Sequence, residues 1–193
     1  MFINLRNYNP IKDVLKGKKI LITGAGTDIG KEAAIKFAKH GARTILLGKT
    51  EKNLKEVYDI IVQKSYPEPS LQLMDFEHAT PKDYLSLFEA IKDKYGLLDG
   101  LLNSVTILGE KKPLSQYSYA IWRKVLTINL DSAFYLTQSL LPLLELSDSA
   151  SIIFSSSDEG KKGRAFWGAH SVSKFGIEGL MQILADELEN TSN

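Results

Sequence analysis

Thr23-Gly24-Ala25-Gly26-Thr27-Asp28-Ile29-Gly30 is the stretch that decides how the chain is read. Upstream of it, Lys19-Ile20-Leu21-Ile22-Thr23 is a short, nearly continuous apolar run between turn signals. That is the pattern of a strand covered on both faces in a parallel sheet. Downstream, Ile29 to His40 follows a helical period, with Ile29, Ala33 and Phe37 stacked at i, i+4, and Gly41 stops it. Three glycines between a strand and a helix mark a tight turn where a Cβ would find no room. The helix that follows offers free N–H groups and a positive dipole end, so the ligand this arrangement suits is the pyrophosphate of a dinucleotide. Glycines alone are weak evidence; their strand–turn–helix setting gives them weight, against the competing reading of an ordinary βα turn. Asp28 adds a carboxylate beside the turn, which would repel a phosphate unless its side chain points away.

Working outward, the same succession recurs. Thr44-Ile45-Leu46-Leu47 reads as a second strand and Glu51 to about Ser65 as an amphipathic helix, broken by Tyr66-Pro67-Glu68-Pro69-Ser70. Leu71 to Met74 is a third strand, and the next helix starts near Thr80-Pro81, a good N-cap and first-position pair. Gly100-Leu101-Leu102-Asn103 is the fourth strand, Tyr119 to Leu146 a long helix, Ser151 to Phe154 the fifth strand and His170 to Glu189 the last helix. Five strands alternating with helices, without a hairpin signal, predict an α/β fold with a doubly wound parallel sheet. No internal linker interrupts residues 1–193, so one dinucleotide-binding domain is expected.

Composition bounds the function. At 193 residues, 44% hydrophobic and 24% charged, the chain has the makeup of a globular domain with a sizeable core. A net charge of +1 recruits neither nucleic acid nor an anionic membrane. The absence of cysteine removes disulfides, thiolate nucleophiles and Cys-based zinc sites, and His40 and His78 have no ligand-spaced partners, so no metal is expected. Met1 to Arg6 lacks the apolar core of a secretory signal, and no apolar run reaches the ~18 residues of a membrane span, so a cytoplasmic protein is expected.

The second strand ends in Leu47-Gly48-Lys49-Thr50. An acidic residue there would suit the ribose of NAD, whereas a cation suits the 2′-phosphate of NADP. Lys49 therefore leans toward NADP, with an ordinary exposed lysine as the bland alternative.

Taken together, these motifs resemble the short-chain dehydrogenase/reductase family, a Rossmann-type fold, over essentially the whole chain. Thr23 to Gly30 matches its T-G-x-x-x-G-I-G turn, Asn103-Ser104-Val105-Thr106 stands at its N-N-A-G strand end, and Asn129 matches the asparagine of its fourth helix. Ser157 stands for its serine, and Trp167 to Phe175 aligns with its tyrosine–lysine motif. The run from Gly163 to Leu188 looks like that of the YciK-type bacterial oxidoreductases. The resemblance implies hydride transfer between NADP(H) and a carbonyl or alcohol. In that scheme a tyrosine is the acid/base, Ser157 polarises the carbonyl, Lys174 binds the ribose and Asn129 helps hold a relay water. On the same map Gly24, Gly26, Ile29, Gly30, Lys49, Asp75, Asn103 and Lys174 would meet the cofactor, Asp75 at the adenine.

This chain departs from the pattern at chemical positions. His170 replaces the tyrosine, Asp28 the second turn glycine, and Val105-Thr106 the alanine–glycine pair. An imidazole can exchange protons near neutrality but stops roughly 2 Å short of a tyrosine oxygen, and even ~1 Å can cost about a hundredfold. His170 is thus either a substitute acid/base or a passive replacement, and a non-catalytic nucleotide-binding or scaffold protein is the alternative function. Relatives continue beyond the position of Asn193 through further strands. Without them the fifth strand would be an apolar sheet edge, and self-association into a homo-oligomer is expected.

Overall fold

The computed structural model describes residues 10–191, so Met1 to Arg6 lies outside the described residues. Five parallel strands form one sheet in the order β3-β2-β1-β4-β5: β1 is Lys19–Thr23, β2 Arg43–Gly48, β3 Ser70–Leu73, β4 Gly100–Asn103 and β5 Ser151–Phe154. The helices are α1 Asp28–Lys39, α2 Glu51–Gln63, α3 Pro81–Tyr95, α4 Tyr119–Leu126, α5 Ser132–Leu144 and α6 Gly168–Thr191. β1 feeds β2 and β3 on one side while β4 and β5 lie on the other. The topological switch therefore falls between β1 and β4, where open α/β sheets bind ligands. This is the predicted doubly wound fold.

Two apolar layers sandwich the sheet. Leu21, Ile45, Leu47 and Leu101 face α3 and α5, against Leu87, Ile91, Leu136 and Leu140. Ile20, Ile22 and Leu46 face α1 and α2, against Ala34, Ala38, Leu54 and Ile61. Thr80 and Asp83 close a capping box at the start of α3, as the Thr80-Pro81 pair predicts.

Gly30, Ala34 and Ala38 are the buried residues of α1, with Ala33 and Phe37 packed at the edge of the same core and Ile29 65% exposed. One expectation needs correction: the long helix expected from Tyr119 to Leu146 is interrupted. Between α4 and α5, Thr127–Asp131 forms a π turn, with Asn129 buried inside it. Such an inserted turn often marks a functional position.

Candidate functional site: a dinucleotide cleft

At the C-terminal ends of β1, β2, β3 and β4 lies a cleft of about 380 Å³. Its floor is the glycine turn. Gly24 has φ +65°, open to glycine and strained for other residues, and a Cβ there would press on Val105 Cγ2 at 3.3 Å. A Cβ on Gly30 would collide with the carbonyl oxygen of Gly24, and one on Gly26 would come within 2.8 Å of Asn53 Cβ at the start of α2. Asp28 also sits at positive φ, +46°, and its side chain is exposed. An aspartate tolerates that backbone better than most residues.

Thr23 locks the turn to β4. Its Oγ1 accepts hydrogen bonds from the Ser104 and Val105 N–H groups at 2.8 and 3.2 Å, and Ser104 Oγ donates to the Thr23 carbonyl at 2.5 Å. Sequence reading matched Thr23 to a motif without giving it this work.

Of the expected cofactor residues, Gly24, Gly26, Ile29, Gly30, Lys49 and Asp75 all line the cleft. Asn103 and Lys174 do not. Asn103 is buried and its Nδ2 donates to Thr137 Oγ1 on α5 at 3.3 Å. Strand alternation turns it away from the cleft, which a motif match does not register.

Lys49 and Asp75, expected to meet separate parts of a cofactor, pair with each other at 2.9 Å. Asp75 also accepts from His78 Nδ1 at 3.0 Å and from the Glu77 N–H at 3.1 Å. Burial alone would raise its pKa, but the bonds from Lys49, His78 and that N–H outweigh it and hold it at about 2. Beside it, Glu77 is paired with Lys124 of α4 at 2.7 Å, and both line the cleft; sequence reasoning missed this pair. The reading that His78 has no ligand-spaced partners is corrected too: donor atoms of Asp75, Glu77 and His78 lie within 4.8 Å of one another. Each carboxylate already carries a lysine, so a metal ion would have to displace that cation.

Asn129, Ser157, His170 and Lys174 lie behind the cleft wall rather than in it. Asn129 clamps the loop after β4. Its Oδ1 accepts from the Ile107 N–H at 2.8 Å, and its Nδ2 donates to the Ile107 carbonyl at 2.9 Å and to Ser173 Oγ at 3.0 Å. His170 is 8% exposed, and its Nδ1 is 3.2 Å from the same Ile107 carbonyl. A carbonyl can only accept, so Nδ1 carries the proton and Nε2 of a neutral ring is the proton acceptor. Lys174, 2% exposed, donates to the Ser155 carbonyl at 2.7 Å, and burial lowers its pKa.

Ser157 Oγ is buried and makes no hydrogen bond of good geometry among the described residues. It nevertheless helps the Glu159 backbone N–H, the larger cause, to hold the Glu159 carboxyl below its ordinary range. Ile107 and Ser155, the partners of His170 and Lys174, both line the cleft. The four residues are thus one contact removed from it or, for Ser157, two residues along the chain.

A doubly wound sheet with a glycine-floored cleft at its switch point is the arrangement of a Rossmann-type α/β fold. This chain belongs to the short chain dehydrogenase family, whose model matches residues 18–192. It is 41% identical to the uncharacterized oxidoreductase YciK of Escherichia coli (strain K12), over 95% of this chain and 73% of that protein. A short chain dehydrogenase structure from Pseudomonas syringae is 46% identical, with a TM-score of 0.93 over 95% of this chain and 74% of that one. A short chain dehydrogenase from Shigella flexneri 2a str. 301 complexed with NADP is 42% identical, with a TM-score of 0.90 over 92% of this chain and 74% of that one. Among the described residues no helix is long and apolar enough to cross a membrane.

Proposed function

We propose that this protein binds NADP(H) and acts as an oxidoreductase on a carbonyl or alcohol substrate. The observation that carries this is the glycine-floored cleft with Lys49 at its rim, whose floor leaves no room for side chains where a pyrophosphate would lie. The Shigella flexneri relative complexed with NADP supports the choice of cofactor. Gly24, Gly26, Ile29 and Gly30 would hold the pyrophosphate, with Lys49 at the 2′-phosphate and Asp75 near the adenine. Bound there, the nicotinamide would supply or accept the hydride.

The chain's own part is to orient the substrate oxygen and move its proton. Ser157 Oγ makes no hydrogen bond of good geometry and only assists Glu159, so it could turn to a substrate carbonyl or alcohol oxygen. His170, with Nδ1–H directed to the Ile107 carbonyl, is left with Nε2 to take a proton, which suits alcohol oxidation better than carbonyl reduction. Lys174 adds a buried positive charge behind the wall.

A second reading, nucleotide binding without efficient catalysis, is favoured by the internal bonds that occupy Asn129, His170 and Lys174. Thermal shift and calorimetry with NADPH and NADH come first. At a ~100-fold excess over the dissociation constant NADPH should stabilise by about 2.7 kcal/mol, and NADH by less. Equal or absent shifts would reject an NADP(H) site. Given binding, His170→Tyr should raise turnover of a carbonyl panel by at least ~10-fold, since it restores reach to the acid. Binding with no turnover in either form would establish the non-catalytic reading.

A further inference from the structure

Besides Asp28 at the glycine turn, four charged side chains line the cleft: Lys49, Asp75, Glu77 and Lys124. They come from three places in the fold, namely the end of β2, the loop after β3, and α4. They form two ion pairs, Lys49 with Asp75 at 2.9 Å and Lys124 with Glu77 at 2.7 Å. The pairs are linked, because the Glu77 N–H donates to Asp75 Oδ1, while exposed His78 adds its Nδ1 to Asp75 Oδ2. Two carboxylates are therefore held close on one short loop, each with a lysine as its counter-ion.

All four side chains remain open to solvent: 62% for Lys49, 31% for Asp75, 41% for Lys124 and 25% for Glu77. Ion pairs of this kind are weak and open readily. A phosphate monoester carries about −1.5 to −2 charge at neutral pH and three acceptor oxygens, so it competes well against a single carboxylate for an ammonium group. A nucleotide lacking that extra phosphate brings nothing to the exchange.

We propose that Lys124 and Glu77 determine cofactor specificity: Lys124 is a second cation, in the same cleft as Lys49, for the 2′-phosphate of NADP(H), and Glu77 occupies it until that phosphate arrives. This rests on the reading of the cleft as an NADP(H) site. Glu77 then acts as an internal competitor. Its removal strengthens binding of the extra phosphate, and removal of Lys124 weakens it. A strut that merely joins α4 to the loop after β3 would change stability without changing the choice between ligands.

The test is calorimetric titration with adenosine 2′,5′-bisphosphate and with 5′-AMP, on the wild-type chain, Lys124→Gln and Glu77→Gln. The wild type should prefer the bisphosphate. Lys124→Gln should cut that preference roughly five-fold and Glu77→Gln raise it roughly three-fold, with 5′-AMP affinity unchanged in both. A preserved preference in Lys124→Gln, or equal losses for the two nucleotides, overturns this inference and leaves the cofactor reading standing. A wild-type chain that binds the two equally, or neither, overturns both.

Discussion

The two sides of the cleft handle polar groups in opposite ways. Around the loop after β3, Lys49, Asp75, Glu77 and Lys124 are partly exposed and held in ion pairs, so a ligand can exchange places with them. Behind the wall formed by the segments after β4 and β5, Asn129, His170 and Lys174 are buried and bonded to backbone, where exchange would leave a carbonyl or an N–H unsatisfied. The contrast teaches that the first group is free to exchange partners, as ligand recognition requires, whereas the second is tied into the wall; under the proposed function, chemistry there would work through Ser157 Oγ and His170 Nε2.

The sharpest way to break this comparison is at the cleft floor. Gly30→Ala puts a methyl group against the Gly24 carbonyl oxygen, and neither backbone can yield cheaply. It should cost about 3 kcal/mol in a urea melt and abolish nucleotide binding. A well-folded variant that still binds would show that the turn is not a tight cradle.

Asn129→Ala tests the opposite wall. It removes three hydrogen bonds, leaving the Ile107 N–H without its side-chain partner and the Ile107 carbonyl with only His170 Nδ1. A loss of about 2–3 kcal/mol is expected, with faster hydrogen exchange at the Ile107 amide. Exchange unchanged at Ile107 would mean that the clamp is not what holds the loop.

The smallest expected effect concerns Asp75. Its folded pKa of about 2 lies below the ordinary 3.8, so its stabilisation is fully present above about pH 4 and is lost as pH falls through 2. After solvent screening the contribution is about 1 kcal/mol. The stability gap between wild type and Asp75→Asn should therefore be nearly constant from pH 6 to 4.5, shrink as pH falls through 2 and close only below it. A gap undiminished at pH 2 would mean that Asp75 stabilises through packing rather than charge.

Much of this organisation was legible in the sequence. β4 and β5 fall on the residues their apolar runs predict, and the capping pair at Thr80 starts α3 as its chemistry requires. The π turn around Asn129 was invisible because one widened turn barely disturbs a helical period. Asn103 was assigned by motif position, but the pleat of β4 directs it to Thr137. Lys124 carried no signal, since nothing near it on α4 indicates that Glu77 lies across the cleft.

By itself the sequence determined the succession of βα units, the glycine turn and the parallel sheet. Those features depend on steric freedom and on periods of two and 3.6 residues, which are written locally. Only the tertiary structure decided that Lys49 would be occupied by Asp75, that Lys124 would reach the same cleft, and that His170 would give its Nδ1 proton to Ile107. Those pairings join residues far apart in the chain. They depend on where the sheet order and the loops bring each side chain, and distance in space is not encoded by spacing in sequence.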